Sequence, residues 1–362
     1  MCGRTCLTLE PNEILKACSY KTSKFQKSPI NQNGNKSEDL NDRKECCGCD
    51  KGQYIEPDWR SEFNCGRKYI PSFNIAPNDV TPVLISRDHF CDEGDSKTES
   101  GHHRLLIPML WGLIPFWHKG DYSKHKLTTN NCRLERMRES KLYSNAFKRG
   151  QRCVVLCEGF YEWQTKSPDR AVYLFYMPQK EKAIIHDRNT WAPEDINLMK
   201  MAGVFDVWQD EQGDKIYSYS VITYESNEIM SWLHHRMPAI LETEQQITAW
   251  LDFKNISNEE ALAALRQPVS ALEKHRVANL VNNARNKSNL CNKPIELIQS
   301  EKLTKNKLMS TWLNLRTPKL PAVASKANKD DEDDAKDRNL VSTANESESK
   351  PENRSAKRRR IV

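Results

Sequence analysis

The sequence predicts an α+β domain built mostly from antiparallel strands, and three observations carry that expectation. Short apolar runs alternate with turn-forming residues from about Tyr69 to about Ser300, and runs of that length and spacing are strand signals. No strand–helix–strand rhythm recurs at the spacing of a parallel unit, and no internal repeat is visible. Hydrophobic residues make up 38% of the 362, below the globular average, so part of the length is expected to lie outside any core.

In chain order, Met1 to Tyr20 contains a short helix, with Pro11 near its first turn and Ile14, Leu15 and Cys18 on one face. From about Lys21 to Arg67 the composition turns to Ser, Lys, Asn and Asp, which reads as a long, mobile surface insertion. Strands are expected over Val80–Ile85, Leu105–Leu110, Cys153–Cys157, Tyr173–Tyr176, Met201–Phe205 and Tyr217–Thr223. Helices are expected over Glu244–Leu251 and Asn258–Leu265. These elements make one domain over residues 1–300.

Residues 301–317 are a short linker or a last helix, and Leu308-Met309-Ser310-Thr311-Trp312-Leu313 forms an apolar island there. That island is a candidate dock for a replication clamp or another fork protein. Residues 318–362 turn to Lys, Asp, Glu, Ser and Asn. Such a tail cannot bury enough apolar surface to offset its ordering entropy and is expected to be disordered. It ends in Lys357-Arg358-Arg359-Arg360, a basic cluster of the kind read as a nuclear address.

The net charge of +6 permits a nucleic-acid partner without requiring one. No apolar signal segment follows Met1, and no stretch approaches the length of a membrane span. The 12 cysteines are then expected as thiols of a reducing, intracellular compartment. Cys46, Cys47, Cys49 and Cys65 supply four thiolates, but the paired spacing of zinc modules is missing and no metal is expected. No cofactor is called for, and with no oligomerisation signal a monomer is the default.

Cys2 is the first chemical oddity. Once Met1 is removed it becomes a 1,2-aminothiol, with an amine of pKa about 8 beside a thiol of pKa about 8.5. The amine can condense with an aldehyde and the thiol can close on the same carbon, giving a thiazolidine. The ring-opened sugar of an abasic site in DNA is one aldehyde placed for this. A cysteine at position two can equally be a plain free thiol.

Glu162 lies among aromatics in Gly159-Phe160-Tyr161-Glu162-Trp163, just after an expected strand. A desolvated carboxyl there has a raised pKa and suits proton shuttling; a solvent-facing edge glutamate is the alternative. His234-His235-Arg236-Met237-Pro238 offers imidazoles and a guanidinium, for protonating a sugar oxygen and for holding a phosphate. Thr129-Asn130-Asn131-Cys132-Arg133 and Val281-Asn282-Asn283-Ala284-Arg285-Asn286 are amide-rich loops, usually turns. In Trp111-Gly112-Leu113-Ile114-Pro115-Phe116-Trp117, Trp111 reads as core, while Phe116 and Trp117 are candidates for stacking on bases.

Taken together and in order, Met1-Cys2-Gly3-Arg4, Phe73-Asn74-Ile75-Ala76-Pro77, Trp111 to Pro115, Asn131-Cys132-Arg133, Gly159 to Trp163 and His234 to Pro238 closely resemble the SRAP family of abasic-site processing proteins. The resemblance spans about residues 1–300, apart from the polar insertion, and the long tail is similar to the eukaryotic, nuclear branch. It implies a mixed α/β domain around an antiparallel, barrel-like sheet. Cys2 then matches the nucleophile exposed by self-removal of Met1, and Glu162 the carboxylate that assists this removal and the later proton transfers. His234 matches the histidine that promotes sugar ring opening, and Asn131 the amide that orients the new N-terminus. Arg4, Arg133 and Arg236 match phosphate-gripping positions, while Asn74, Phe116 and Trp117 match the DNA-lining surface.

The implied function is a covalent sensor of abasic sites in single-stranded DNA, shielding them at replication forks from cleavage and error-prone bypass, with abasic-site lyase chemistry as a further activity. Three features depart from the family pattern. Phe116 stands where bacterial members can carry Trp. Cys157-Glu158 stands where relatives often have Ala-Asp, which puts Glu158 in competition with Glu162 as the proton shuttle. The third departure is the insertion. Two other readings stay open: a thiol peptidase acting on other proteins, and a non-catalytic reader of modified bases.

Overall fold

The computed structural model describes residues 3–21, 54–61, 66–90, 103–165, 169–180, 182–266 and 269–316. The chain divides into one compact unit ending at Leu308 and a second from Met309 onward. The elements in order are β1 (Thr5–Leu7), α1 (Pro11–Ala17), β2 (Tyr20–Lys21), β3 (Tyr54–Ile55), β4 (Asp58–Trp59), β5 (Ser72–Ile75), β6 (Val80–Ser86), β7 (Arg104–Trp111) and β8 (Asn131–Arg133). Then come α2 (Ser144–Lys148), β9 (Arg152–Cys157), β10 (Gly159–Trp163), β11 (Val172–Tyr176), β12 (Met199–Gln209), β13 (Lys215–Glu225) and β14 (Arg236–Pro238). The last are α3 (Glu244–Leu251), α4 (Asn258–Leu265), β15 (Glu273–Val277) and α5 (Ile295–Arg316).

Five strands close a ring in the order β13, β12, β9, β6, β7 and back to β13. Four of its pairings are antiparallel, and the closing one, Ser218 with Leu110 and Tyr219 with Trp111, is parallel. Both faces of β6, β7 and β9 are buried. One face fills the barrel, and on the outside β1 and α3 pack against β9 and α2 against β12. This two-sided cover explains why these strands read as continuous apolar runs rather than as alternation. Each fully buried Leu, Ile or Phe contributes about 1.5–3 kcal/mol, and Leu106, Ile107, Val155, Met201, Phe205 and Val221 are all in the central cluster.

A second, wholly antiparallel sheet runs in the order β15, β11, β10, β1, β5. At Gly159 of this sheet a Cβ would sit 2.6 Å from the carbonyl oxygen of Phe175; only glycine admits β11 at that spacing. The two expected helices α3 and α4 have the expected bounds because each opens on a capping box, Thr243 with Gln246 and Ser257 with Glu260.

One expectation needs correction. The polar stretch 21–67 is not structureless throughout: β3 pairs with β2, and β4 pairs in parallel with β7 through Asp58–Leu105 and Trp59–Leu106. Trp59 packs on the core. Cys46, Cys47, Cys49 and Cys65 lie outside the described residues, as does 318–362. The apolar island falls within α5, where Leu308, Met309 and Trp312 are exposed. Among the described residues, no helix is long and apolar enough to cross a membrane.

Candidate active site

The site is organised around β10. Thr5 pairs with Phe160 and Cys6 with Gly159, and the Tyr161 N–H donates to the Arg4 carbonyl at 2.9 Å. Continuing that register two residues sets Gly3 opposite Glu162, so β1 directs the start of the chain toward this carboxyl. Cys2 itself lies outside the described residues. Glu162 is only 2% exposed, and burial raises its pKa above the usual carboxylate value. The solvent-facing alternative for Glu162 is thereby excluded.

Glu158 competes with it in sequence but not in place. It sits at the other end of β10, about 13 Å away along the strand. Its Oε1 accepts from both the Thr8 N–H and the Thr8 hydroxyl, each at 2.6 Å.

A frame of amides surrounds the start of β1. Asn74 is fully buried. Its Nδ2 faces the carbonyls of Val281, Asn283 and Asn286 at 3.2, 3.0 and 2.9 Å, while its Oδ1 accepts from Arg4 Nη1 at 3.1 Å. Arg4 Nη1 also donates to the Val281 carbonyl at 2.9 Å. The loop after β15 closes the frame, since Trp163 Nε1 donates to Asn282 Oδ1 at 2.7 Å. The place expected for Asn74, lining DNA, is thus corrected to an interior clamp. The amide-rich loop 281–286, read from sequence as a turn, holds Arg4, next to Gly3, and Trp163, next to Glu162.

His234 is carried by the loop between β13 and β14. Thr165, three residues after Glu162, donates its N–H and its hydroxyl to the Leu233 carbonyl at 3.3 and 3.1 Å. The end of β10 is thereby fastened beside His234. The Arg236 N–H lies 2.9 Å and the Arg236 carbonyl oxygen 3.1 Å from His234 Nδ1, so this nitrogen accepts from the first or donates to the second according to the tautomer. Burial lowers the imidazole pKa to about 4, so the ring is neutral at pH 7.

Arg236 itself is buried. It makes a two-pronged pair with Glu135 at 2.7 and 2.9 Å and donates to the Thr223 carbonyl at 2.6 Å. The guanidinium expected to grip phosphate is therefore engaged in fixing β14, while the Arg236 backbone holds the His234 ring. The hydrogen bond from Arg236 holds Glu135 below the usual carboxylate range.

Asn131 and Arg133 lie on β8, paired with Val221 and Thr223 of β13, while Pro238 of β14 pairs with the other side of Thr223. Asn131, Arg133, Arg136, Thr129 and Tyr143 line a cleft of about 670 Å³. Phe116 and Trp117 are 46% and 40% exposed, with Lys141 over the Trp117 ring at 4.8 Å. Trp111, by contrast, is core. Sequence reading missed Trp163, Thr165 and Asn282 as frame residues; their signal is three-dimensional, since each acts through a partner more than 60 residues away.

The site thus joins a closed barrel, a buried glutamate facing the chain's start and a neutral histidine fastened beside it. The chain belongs to the SOS response associated peptidase (SRAP) family, whose model matches residues 1–284. It is similar to abasic site processing protein HMCES of Xenopus tropicalis, 36% identical over 327 residues, covering 88% of this chain and 87% of that protein. It is equally similar to the HMCES protein of Pongo abelii, 36% identical over 88% of this chain and 84% of the relative. Bacillus subtilis YoqW, also called an abasic site processing protein, is 29% identical over 61% of this chain and 85% of its own length. A crystal structure from Bacteroides thetaiotaomicron aligns with a TM-score of 0.46 at 21% identity, covering 61% of this chain and 84% of the other.

Proposed function

We propose that this chain is a covalent sensor of abasic sites in single-stranded DNA, with Cys2 as the reacting residue. The observation that supports this most is the register of β1 on β10, which sets Gly3, the neighbour of Cys2, opposite the buried Glu162. The relatives' shared description as abasic site processing proteins supports the substrate class.

The chemistry starts with hydrolysis of the Met1–Cys2 peptide bond: one water is consumed and Met1 leaves. The Cys2 α-amine then adds to the sugar aldehyde and water is expelled, giving an imine. The thiol adds across the C=N bond, forming the C–S bond and passing its proton to nitrogen. Glu162, with its raised pKa, takes and returns protons through these steps. As the closed sugar opens, His234 relays a proton: it takes the one that the C1 hydroxyl loses and gives one to the ring oxygen. Asn131 orients the new amine, and Arg4 and Arg133 add charge along the strand. The product masks the aldehyde, so neither elimination nor an incision enzyme can break the strand. At a stalled fork, where no complementary strand is present, such a break would sever the chromosome. Residues 318–362 would supply nuclear delivery through Lys357–Arg360.

The test is a denaturing gel of purified protein with single-stranded DNA carrying one abasic site, run without reductant. A heat-stable band is expected for wild type with damaged DNA and for neither undamaged DNA nor Cys2→Ala. If Met1 is absent by intact mass and no band forms, the reading fails.

A further inference from the structure

Across the second sheet the row that begins at Glu162 continues outward. Glu162 pairs with Tyr173, and Tyr173 with Arg276. The adjacent row on the same face runs Phe160, Phe175, Lys274. Directly paired residues share a face of the sheet and strands are about 4.8 Å apart, so Arg276 stands about 10 Å from Glu162 along a straight line of neighbours.

The loop that carries His234 lies along this line. Trp232, two residues before His234, sets its ring against Tyr173 at 5.1 Å and 88°, and Lys274 Nζ sits 5.6 Å from the Trp232 ring. The indole is anchored by its Nε1–H to the Ile229 carbonyl at 2.9 Å, yet 39% of the residue remains exposed. Lys274 and Arg276 are exposed, and among the described residues the Arg276 side chain has no ion-pair or hydrogen-bond partner. The nearest carboxylate on β15, Glu273, pairs with Tyr176 and so faces the other side of the sheet. A stripe of two rings and two cations, with no carboxylate of β15 on its face, therefore leads from the candidate catalytic residues to the edge strand β15.

We infer that this edge of β15, with Tyr173, Trp232, Lys274 and Arg276, holds the single strand that flanks the reacting nucleotide. Interleaved rings and cations suit unpaired DNA, because rings stack on any exposed base and the cations pair with phosphates without reading sequence. A duplex offers no exposed base to such a stripe. The inference rests on the reading of the chain as a covalent abasic-site sensor, and names which surface grips the rest of that substrate.

The experiment measures crosslinking rate against DNA concentration at several salt concentrations, for a long and a very short single strand with one abasic site. Undamaged long strands are followed by fluorescence anisotropy. The double variant Lys274→Gln/Arg276→Gln keeps both side chains polar at exposed positions, and Lys148→Gln on α2 is the charge control. On the long strand the double variant is expected to raise the half-saturating concentration about tenfold, with the salt slope reduced by about 1.4, or about 0.7 for each phosphate no longer neutralised. Trp232→Ala is expected to weaken binding of the undamaged long strand about tenfold, and Trp232→Phe to restore most of it, because a ring remains. The very short strand should show no difference between wild type and the double variant. An unchanged salt slope and half-saturation on the long strand would overturn the inference while leaving covalent sensing intact. Absence of any covalent product from wild type would instead overturn the parent reading, and the anisotropy series would still decide whether the stripe holds DNA.

Discussion

The two ends of β10 carry buried carboxyls under the same pressure and in different company. Glu158 and Glu162 are 1% and 2% exposed, and burial raises both pKa values. At the first end, Thr8 satisfies the carboxyl with two short hydrogen bonds. At the second, the carboxyl faces the start of the chain, with the neutral imidazole of His234 fastened alongside. Burial alone therefore does not mark a catalytic acid. What distinguishes Glu162 is that the sheet register delivers the start of the chain to it.

The sharpest way to break this comparison is to remove each charge in turn. Glu162→Gln is expected to slow covalent product formation by about 100-fold or more, the usual worth of a positioned acid–base group. Glu158→Gln keeps an oxygen for Thr8 and is expected to change the rate by less than about threefold. Equal losses from both would place the chemistry at the wrong end of the strand. Single-turnover crosslinking with preprocessed protein separates these outcomes from any effect on Met1 removal.

Stability against pH sharpens the comparison from the other side. A carboxyl whose folded pKa lies above its unfolded value favours the folded state while protonated, and that contribution is lost as pH rises through the folded pKa. Both substitutions to Gln should therefore raise the urea midpoint at pH 7 and lose that advantage toward pH 4. The rate should fall on the acid side through a pKa above the ordinary carboxylate value of about 4.3, and Glu162→Gln should abolish that limb. His234, held near 4, should contribute no limb at its ordinary pKa of about 6.5. A rate profile with a limb there that disappears in His234→Gln would contradict the neutral imidazole.

Much of the fold was legible because the barrel strands are long and covered on both sides. Val80, Leu105, Cys153 and Tyr217 each begin or fall inside an observed strand. The strands that escaped, β1 to β5, β8, β10, β14 and β15, are of two to five residues and are defined by their pairing partners rather than by any periodicity. The same split applies to the site. Glu162 and His234 stood out because a carboxyl among aromatics and a paired imidazole are chemically unusual in a sequence. Arg236 and Asn74 carry no signal of burial in their identity, and an arginine that pairs with Glu135 reads like one that waits for phosphate. Glu158 could be separated from Glu162 only by knowing that Thr8 lies over it.

The smallest expected effect concerns what holds each end in place. Asn74→Ala leaves three carbonyls and one Arg4 donor without their amide, a loss of about 1–3 kcal/mol in stability. Because that amide fixes Arg4, the residue before Thr5 reaches Phe160, the crosslinking rate should also drop, by about fivefold for each 1 kcal/mol of forfeited alignment. Asn74→Asp keeps an acceptor for Arg4 but cannot donate to the 281–286 loop. It should lie near Asn74→Ala in rate if the bonds to the loop matter and near wild type if the bond from Arg4 does. Thr8→Val is the matching change at the other end, costing about 1 kcal/mol of stability with no effect on rate. A rate loss in Thr8→Val as large as that in Asn74→Ala would mean that β10 is positioned as one rigid bar, and that its two ends cannot be assigned separate roles.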